Sequence, residues 1–153
     1  MGIHECASSL DEMNRSFICD IDNILIEKKY NLRIAGKEYL KLTYTNAKTK
    51  RGLVSFTISG DVLDVHIYAD HVSKYIDDIL PLPDVMLKSM KKGRKCDNLV
   101  NPGSCYPECI IGYDFFIDGA RYQKCRYMNF KFPVNDDTRA HIRNIILKEM
   151  SFR

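Results

Sequence analysis

The sequence predicts an α+β protein, a two-layer sandwich in which a mainly antiparallel sheet carries its helices on one face. Three observations predict it. Four stretches between Asn31 and Tyr68 are β-prone and alternate apolar with polar residues at period two. Stretches with helical spacing stand before and after them. No strand–helix–strand series occurs, which disfavours a doubly wound nucleotide-binding sheet. The element order reads α-β-β-β-β-α-α-β-β-α over a single domain, residues 1–153, with a cysteine-bearing loop and hairpin at about 94–132.

Ser9-Leu10-Asp11-Glu12 has the S-x-x-E form of a capping box, whose end residues satisfy each other's orphan amides. Behind it Leu10, Met13, Phe17, Ile21, Ile24 and Leu25 recur at three- and four-residue spacing. That stripe predicts a first helix from about Leu10 to Lys28. "NLRIAG" and "EYLKLTYT" then read as strands, followed beyond a polar loop by "LVSFTI" and "VLDVHIY". Val54, Phe56 and Ile58 alternate with Ser55 and Thr57, and Leu63, Val65 and Ile67 with Asp64 and His66. Such alternation means one buried and one wetter sheet face.

Asp70 is placed to cap the next helix, whose stripe is Val72, Tyr75, Ile76, Ile79 and Leu80 and which Pro81 stops. Pro83-Asp84 opens a short helix through Val85, Met86, Leu87 and Met90, ended by Gly93. Asp118-Gly119, between "YDFFI" and "ARYQKCRYMNFKF", is the signature of a two-residue hairpin turn. Asn135, Asp136 and Asp137 start a last helix that buries Ile142, Ile145 and Ile146.

The chain of 153 residues, 45% hydrophobic and 28% charged, is long enough to bury a core without covalent staples. No apolar run is long enough to span a bilayer, so no membrane partner is expected. The N-terminus lacks a basic region followed by an apolar stretch, and Cys6 stands where a myristoylation motif wants Ser or Thr. The expected compartment is the cytoplasm, where thiols stay reduced.

Four of the six cysteines fall between residues 96 and 125. Zinc takes four tetrahedral thiolate or imidazole ligands, usually from short C-x(2–4)-C knuckles. Cys105-x-x-x-Cys109 forms one knuckle in a Pro- and Gly-bearing loop, while Cys96 and Cys125 are split around it. The expected metal ligands of a structural zinc ion are therefore Cys96, Cys105, Cys109 and Cys125. Unrelated reduced thiols and a disulfide or redox pair are the competing readings. Hairpin parity sharpens the choice. If Ile117 pairs with Ala120, Gly112 falls opposite Cys125, and a regular ladder points Cys109 and Cys125 to opposite faces. They converge only if the strand breaks near Ile111-Gly112; otherwise a fourth ligand has to come from elsewhere, for instance His4, Cys6 or His141.

Two further surfaces carry chemistry. Lys88, Lys91, Lys92, Arg94 and Lys95, with Arg121, Lys124, Arg126 and Lys131 beyond the loop, are interleaved with Tyr122, Tyr127 and Phe130. That pattern suits an anion or nucleic acid, or simply a solvated helix end whose lysines complement the helix dipole. The wetter sheet face carries Tyr39, Lys41, Thr43, Ser55, Thr57, Asp64, His66 and Tyr68. Asp64 and His66 share a face and could act as an acid–base pair, or serve as plain polar patterning. Tyrosines there would contact a protein partner or a second copy in a homodimer. No G-x-S-x-G, P-loop, H-E-x-x-H or Gly-rich dinucleotide turn accompanies them. The function read from the sequence is a non-enzymatic binding or accessory domain with a structural zinc site. The alternatives are a small enzyme or small-molecule-binding domain using the sheet face, and nucleic-acid binding through the basic surface.

Overall fold

The computed structural model describes residues 1–153. Helix α1 (Ile3–Cys6) and α2 (Glu12–Glu27) precede four strands, β1 (Tyr30–Ala35), β2 (Leu40–Asn46), β3 (Gly52–Ser59) and β4 (Val62–Ile67). Three helices follow: α3 (Val72–Ile79), α4 (Asp84–Lys92) and α5 (Asp97–Val100). The hairpin β5 (Tyr113–Ile117) and β6 (Ala120–Lys124), a short β7 (Lys131–Pro133) and α6 (Arg139–Ser151) complete the chain. The fold is α+β, with a five-stranded antiparallel sheet ordered β1-β2-β3-β4-β7 and a two-stranded β5-β6 sheet. No helix is long and apolar enough to cross a membrane.

Strand register separates the two faces of the large sheet. Leu42 stands opposite Phe56, which stands opposite Val65, which stands opposite Phe132. This row and its neighbours enter a core of 34 buried residues together with Phe17, Ile18 and Ile21 of α2 and Ile142, Ile145 and Ile146 of α6. The other parity carries Lys41, Thr43, Ser55, Thr57, Asp64, His66 and Lys131.

Four expectations change in detail. The cap of α2 is Asp11, which accepts from the Asn14 amide at 2.8 Å, while Ser9 donates to the Gly60 carbonyl. Met13 is exposed and Ile18 lies in the core instead, because the face of α2 that meets the sheet is the one bearing Asn14, Phe17, Ile18, Ile21 and Leu25. Asp70 does not cap α3, whose N-cap is His71. Its carboxylate pairs with Arg51, Arg126 and Arg153 instead, three cations brought from distant segments. The strand after the hairpin turn is also not continuous. It ends at Lys124, turns through Phe130 at φ 57°, and resumes as β7 on the edge of the large sheet.

Candidate metal centre and sheet-face pocket

Gly93 ends α4, and residues 94–96 then lie along the free edge of β6. Lys95 bridges Lys124, the Cys96 amide donates to Gln123 O at 2.9 Å, and the Cys125 amide donates to Arg94 O at 2.7 Å. Antiparallel parity across this short rung sets Cys96 and Cys125 on one face, diagonal to each other. On its other edge β6 pairs with β5 in the expected register, Ile117 opposite Ala120, and that ladder stops at Tyr113–Lys124. Gly112 and Cys125 thus lie just beyond the last rung, and the strand does break where convergence requires it.

Gly112 shows why the break needs glycine. A Cβ there would overlap the Lys124 carbonyl and stand 2.9 Å from Cys96 Cβ and 3.0 Å from Cys96 Sγ. Only a residue without a side chain brings the segment that bears Cys109 and Ile110 this close to the Cys96 rung. The loop between is tied to itself: Ser104 Oγ donates to Asp97 O at 2.9 Å, and Asn98 Oδ1 accepts from the Cys105 amide at 3.0 Å. A turn closed by the Cys109 amide on Tyr106 O at 3.0 Å joins the two knuckle cysteines.

The result is one pocket of about 500 Å³ lined by Cys96, Cys105, Cys109 and Cys125 together. His4, Cys6 and His141, the alternative fourth ligands, do not line it. All six cysteines are free thiols. Burial, followed by the charge and hydrogen bond of Cys105 and the charges of Cys125 and Cys96, raises the Cys109 thiol above its ordinary range. No group of three or more His, Cys, Asp and Glu side chains stands arranged to hold a metal ion. The four thiols share a pocket; they do not form a ready-made coordination shell.

The basic surface is largely engaged internally. Lys124 is 7% exposed and donates to Lys91 O and Gly93 O at 2.6 and 2.8 Å, closing the C-terminal end of α4. Arg126 is 4% exposed; it pairs with Asp70 and lies over the Tyr68 ring at 5.0 Å. Arg121 makes two hydrogen bonds to Asp114, and Arg94 pairs with Asp97. Lys88, Lys92, Lys95 and Lys131 stay exposed, and Lys91 partly so.

The polar sheet face forms a second pocket, of about 410 Å³, whose lining includes Tyr39, Lys41, Ser55, Thr57, Asp64 and His66. Lys131, counted above with the basic surface, joins it through β7. His66 Nε2 lies 3.1 Å from the Arg126 carbonyl. A carbonyl only accepts, so Nε2 carries the hydrogen and Nδ1 is left as an acceptor. Burial above all holds the His66 pKa down to about 4, against the smaller opposing effect of that bond, so the imidazole is neutral near pH 7. Asp64 is shifted upward by burial. Two site features escape sequence reasoning: the edge rung at 94–96, and the bond that ties His66 to the residue after Cys125. Neither leaves a local pattern, since each joins segments far apart in the chain. Comparison with protein families, with curated proteins and with solved structures returns no match for this chain.

Proposed function

We propose that this chain is a non-enzymatic binding or accessory domain of the cytoplasm, in which Cys96, Cys105, Cys109 and Cys125 hold one structural zinc ion. The observation that carries the reading is the shared pocket of the four thiols. Burial above all, and then the neighbouring thiols, disfavour the Cys109 thiolate in the absence of a cation. A dication reverses that penalty, so metal binding and deprotonation proceed together. The loop has the means to close on an ion. Residues 101–112 contain no helix or strand, so Cys105 and Cys109 can adjust without disturbing either sheet.

An all-thiolate site keeps no position for a reactive water, which favours a structural over a catalytic role. His66 also argues for binding rather than acid–base chemistry, because its Nε2 is committed to Arg126 O and its protonated form is disfavoured. Elemental analysis of protein purified without added metal tests the proposal. The expected result is about one zinc per chain. Protein without zinc that takes up none when zinc is supplied under reducing conditions overturns it.

A further inference from the structure

A binding domain needs a surface, and the uncovered face of the large sheet carries one in which donors, acceptors and charge are sorted. Register lays two neighbouring rows of side chains across it. One runs Lys41, Thr57, Asp64, Pro133 and the other Thr43, Ser55, His66, Lys131. The two lysines occupy opposite corners and are both exposed. Their long stems let the ammonium groups lean over the middle of the grid. Arg33, opposite Thr43 on β1, shares this face but lies outside the pocket lining. Among the strand residues of this face Asp64 is the single acid, so the charge is complementary to an anion.

The centre of the grid is polar and ordered. Ser55 is 1% exposed, and its hydroxyl shares a hydrogen bond with Thr43 at 3.0 Å. Beside it, His66 presents an acceptor nitrogen because Arg126 O takes its only hydrogen. Asp64 is a second acceptor. A simple anion would meet the lysines alone; a ligand that also carries hydroxyl groups engages both acceptors as well. Two lysines against one acid leave the pocket net positive, and the several oxygens of a phosphate can accept from both.

We infer that this pocket binds a small polyol phosphate: the phosphate group lies between Lys41 and Lys131, and ligand hydroxyls donate to Asp64 and to Nδ1 of His66. The inference rests on the reading of the chain as a binding domain, and it deepens that reading by naming the surface and the ligand class. Zinc is not among the pocket's parts, because the grid is built by strands backed by the apolar core; the bond from His66 Nε2 to Arg126 O is what ties it to the residue after Cys125.

Amide NMR titration of the full chain with ribose 5-phosphate, inorganic phosphate and glycerol separates the outcomes. Zinc content is measured on the same sample. Ribose 5-phosphate is expected to shift the amides of Lys41, Ser55, Thr57, Asp64, His66 and Lys131 saturably. Inorganic phosphate is expected to bind roughly tenfold more weakly, and glycerol to produce no saturable shift. Lys41→Met with Lys131→Met is expected to weaken ribose 5-phosphate binding by roughly tenfold or more while the remaining amide spectrum is kept. Should that double variant perturb the spectrum, Thr57→Val serves in its place and is expected to weaken binding severalfold. Saturable shifts confined to α4, equal affinity for phosphate and ribose 5-phosphate, or no saturable shift at all would overturn the inference. Loss of sheet-face binding in zinc-loaded protein removes this inference alone; binding in protein that cannot take up zinc removes the metal proposal alone.

Discussion

The core that backs the five-stranded sheet holds 34 buried residues, whereas no residue between Asp97 and Gly112 is buried. Each apolar side chain buried behind the sheet contributes about 1.5–3 kcal/mol relative to exposure. The loop has no such source. It is held by a handful of polar contacts, and its large apolar side chains face outward: Tyr106 is 81% exposed, Ile111 58%. Yet it bears two of the four thiols that meet in one pocket. A segment without a core can still be ordered by coordination, because bonds to a metal need no buried area. The sheet face differs again, since its polar residues need no staple and their positions follow from strand register.

The proposed zinc ion makes metal removal an experiment on the loop first. Structural zinc in small domains binds with roughly 10–16 kcal/mol at neutral pH, so its loss is the largest perturbation available. Chelation, or Cys105→Ser combined with Cys109→Ser, is expected to open residues 97–112 to protease while the sheet stays intact. Limited proteolysis with mass analysis checks this. Cleavage spread evenly along the chain would show that loop and sheet are one unit.

Acid acts on the sheet side. His66 is held near 4 in the fold, chiefly by burial, against roughly 6.5 in an unfolded chain. Between those values the unfolded chain takes up a proton that the folded imidazole refuses. Stability that is complete above about pH 6.5 therefore falls as the pH drops towards 4, by up to about 3 kcal/mol. Urea midpoints measured across that range should show the fall in the native protein and a flatter profile in His66→Asn. Identical slopes would locate the acid sensitivity elsewhere.

Gly112→Ala probes the joint between the two regions. The new methyl group meets the Lys124 carbonyl and Cys96, an overpacking that costs about 1–3 kcal/mol. Urea denaturation is expected to show that loss together with reduced zinc content. An unchanged midpoint and full metal content would show that residues 110–112 can move away from the Cys96 rung without consequence.

Arg121→Ala should do least. Its two bonds to Asp114, at 2.9 and 2.6 Å, lie in solvent, where ion pairs are weak. The hairpin instead rests on packing such as the Phe115–Tyr122 stack at 5.7 Å. The melting temperature is expected to stay at the native value. A drop of several degrees would mean that the hairpin depends on its surface charges.

Much of the fold is legible in the sequence because local chemistry and tertiary structure agree there. Asp118 and Gly119 adopt φ 50° and 78°, as an Asp-Gly hairpin turn requires, and the alternating strands bury the face that their pattern marks. What stays illegible depends on partners distant in sequence. Asp70 looks like a helix cap, but three arginines reach its carboxylate first. "NFKF" looks like more hairpin, because alternation specifies a face and not the strand that pairs with it. Parity correctly keeps Cys109 and Cys125 apart within a regular ladder. It has no means of showing that residues 94–96 add a rung to β6 and bring Cys96 onto the face of Cys125.

The proposed site sets four thiolates from the two sides of this loop on one metal ion. X-ray absorption at the zinc edge, on protein purified without added metal, tests it most directly. The expected result is a single shell of about four sulfur atoms at about 2.3 Å. A first shell of nitrogen or oxygen at about 2.0–2.1 Å, or no zinc in the sample, would contradict it.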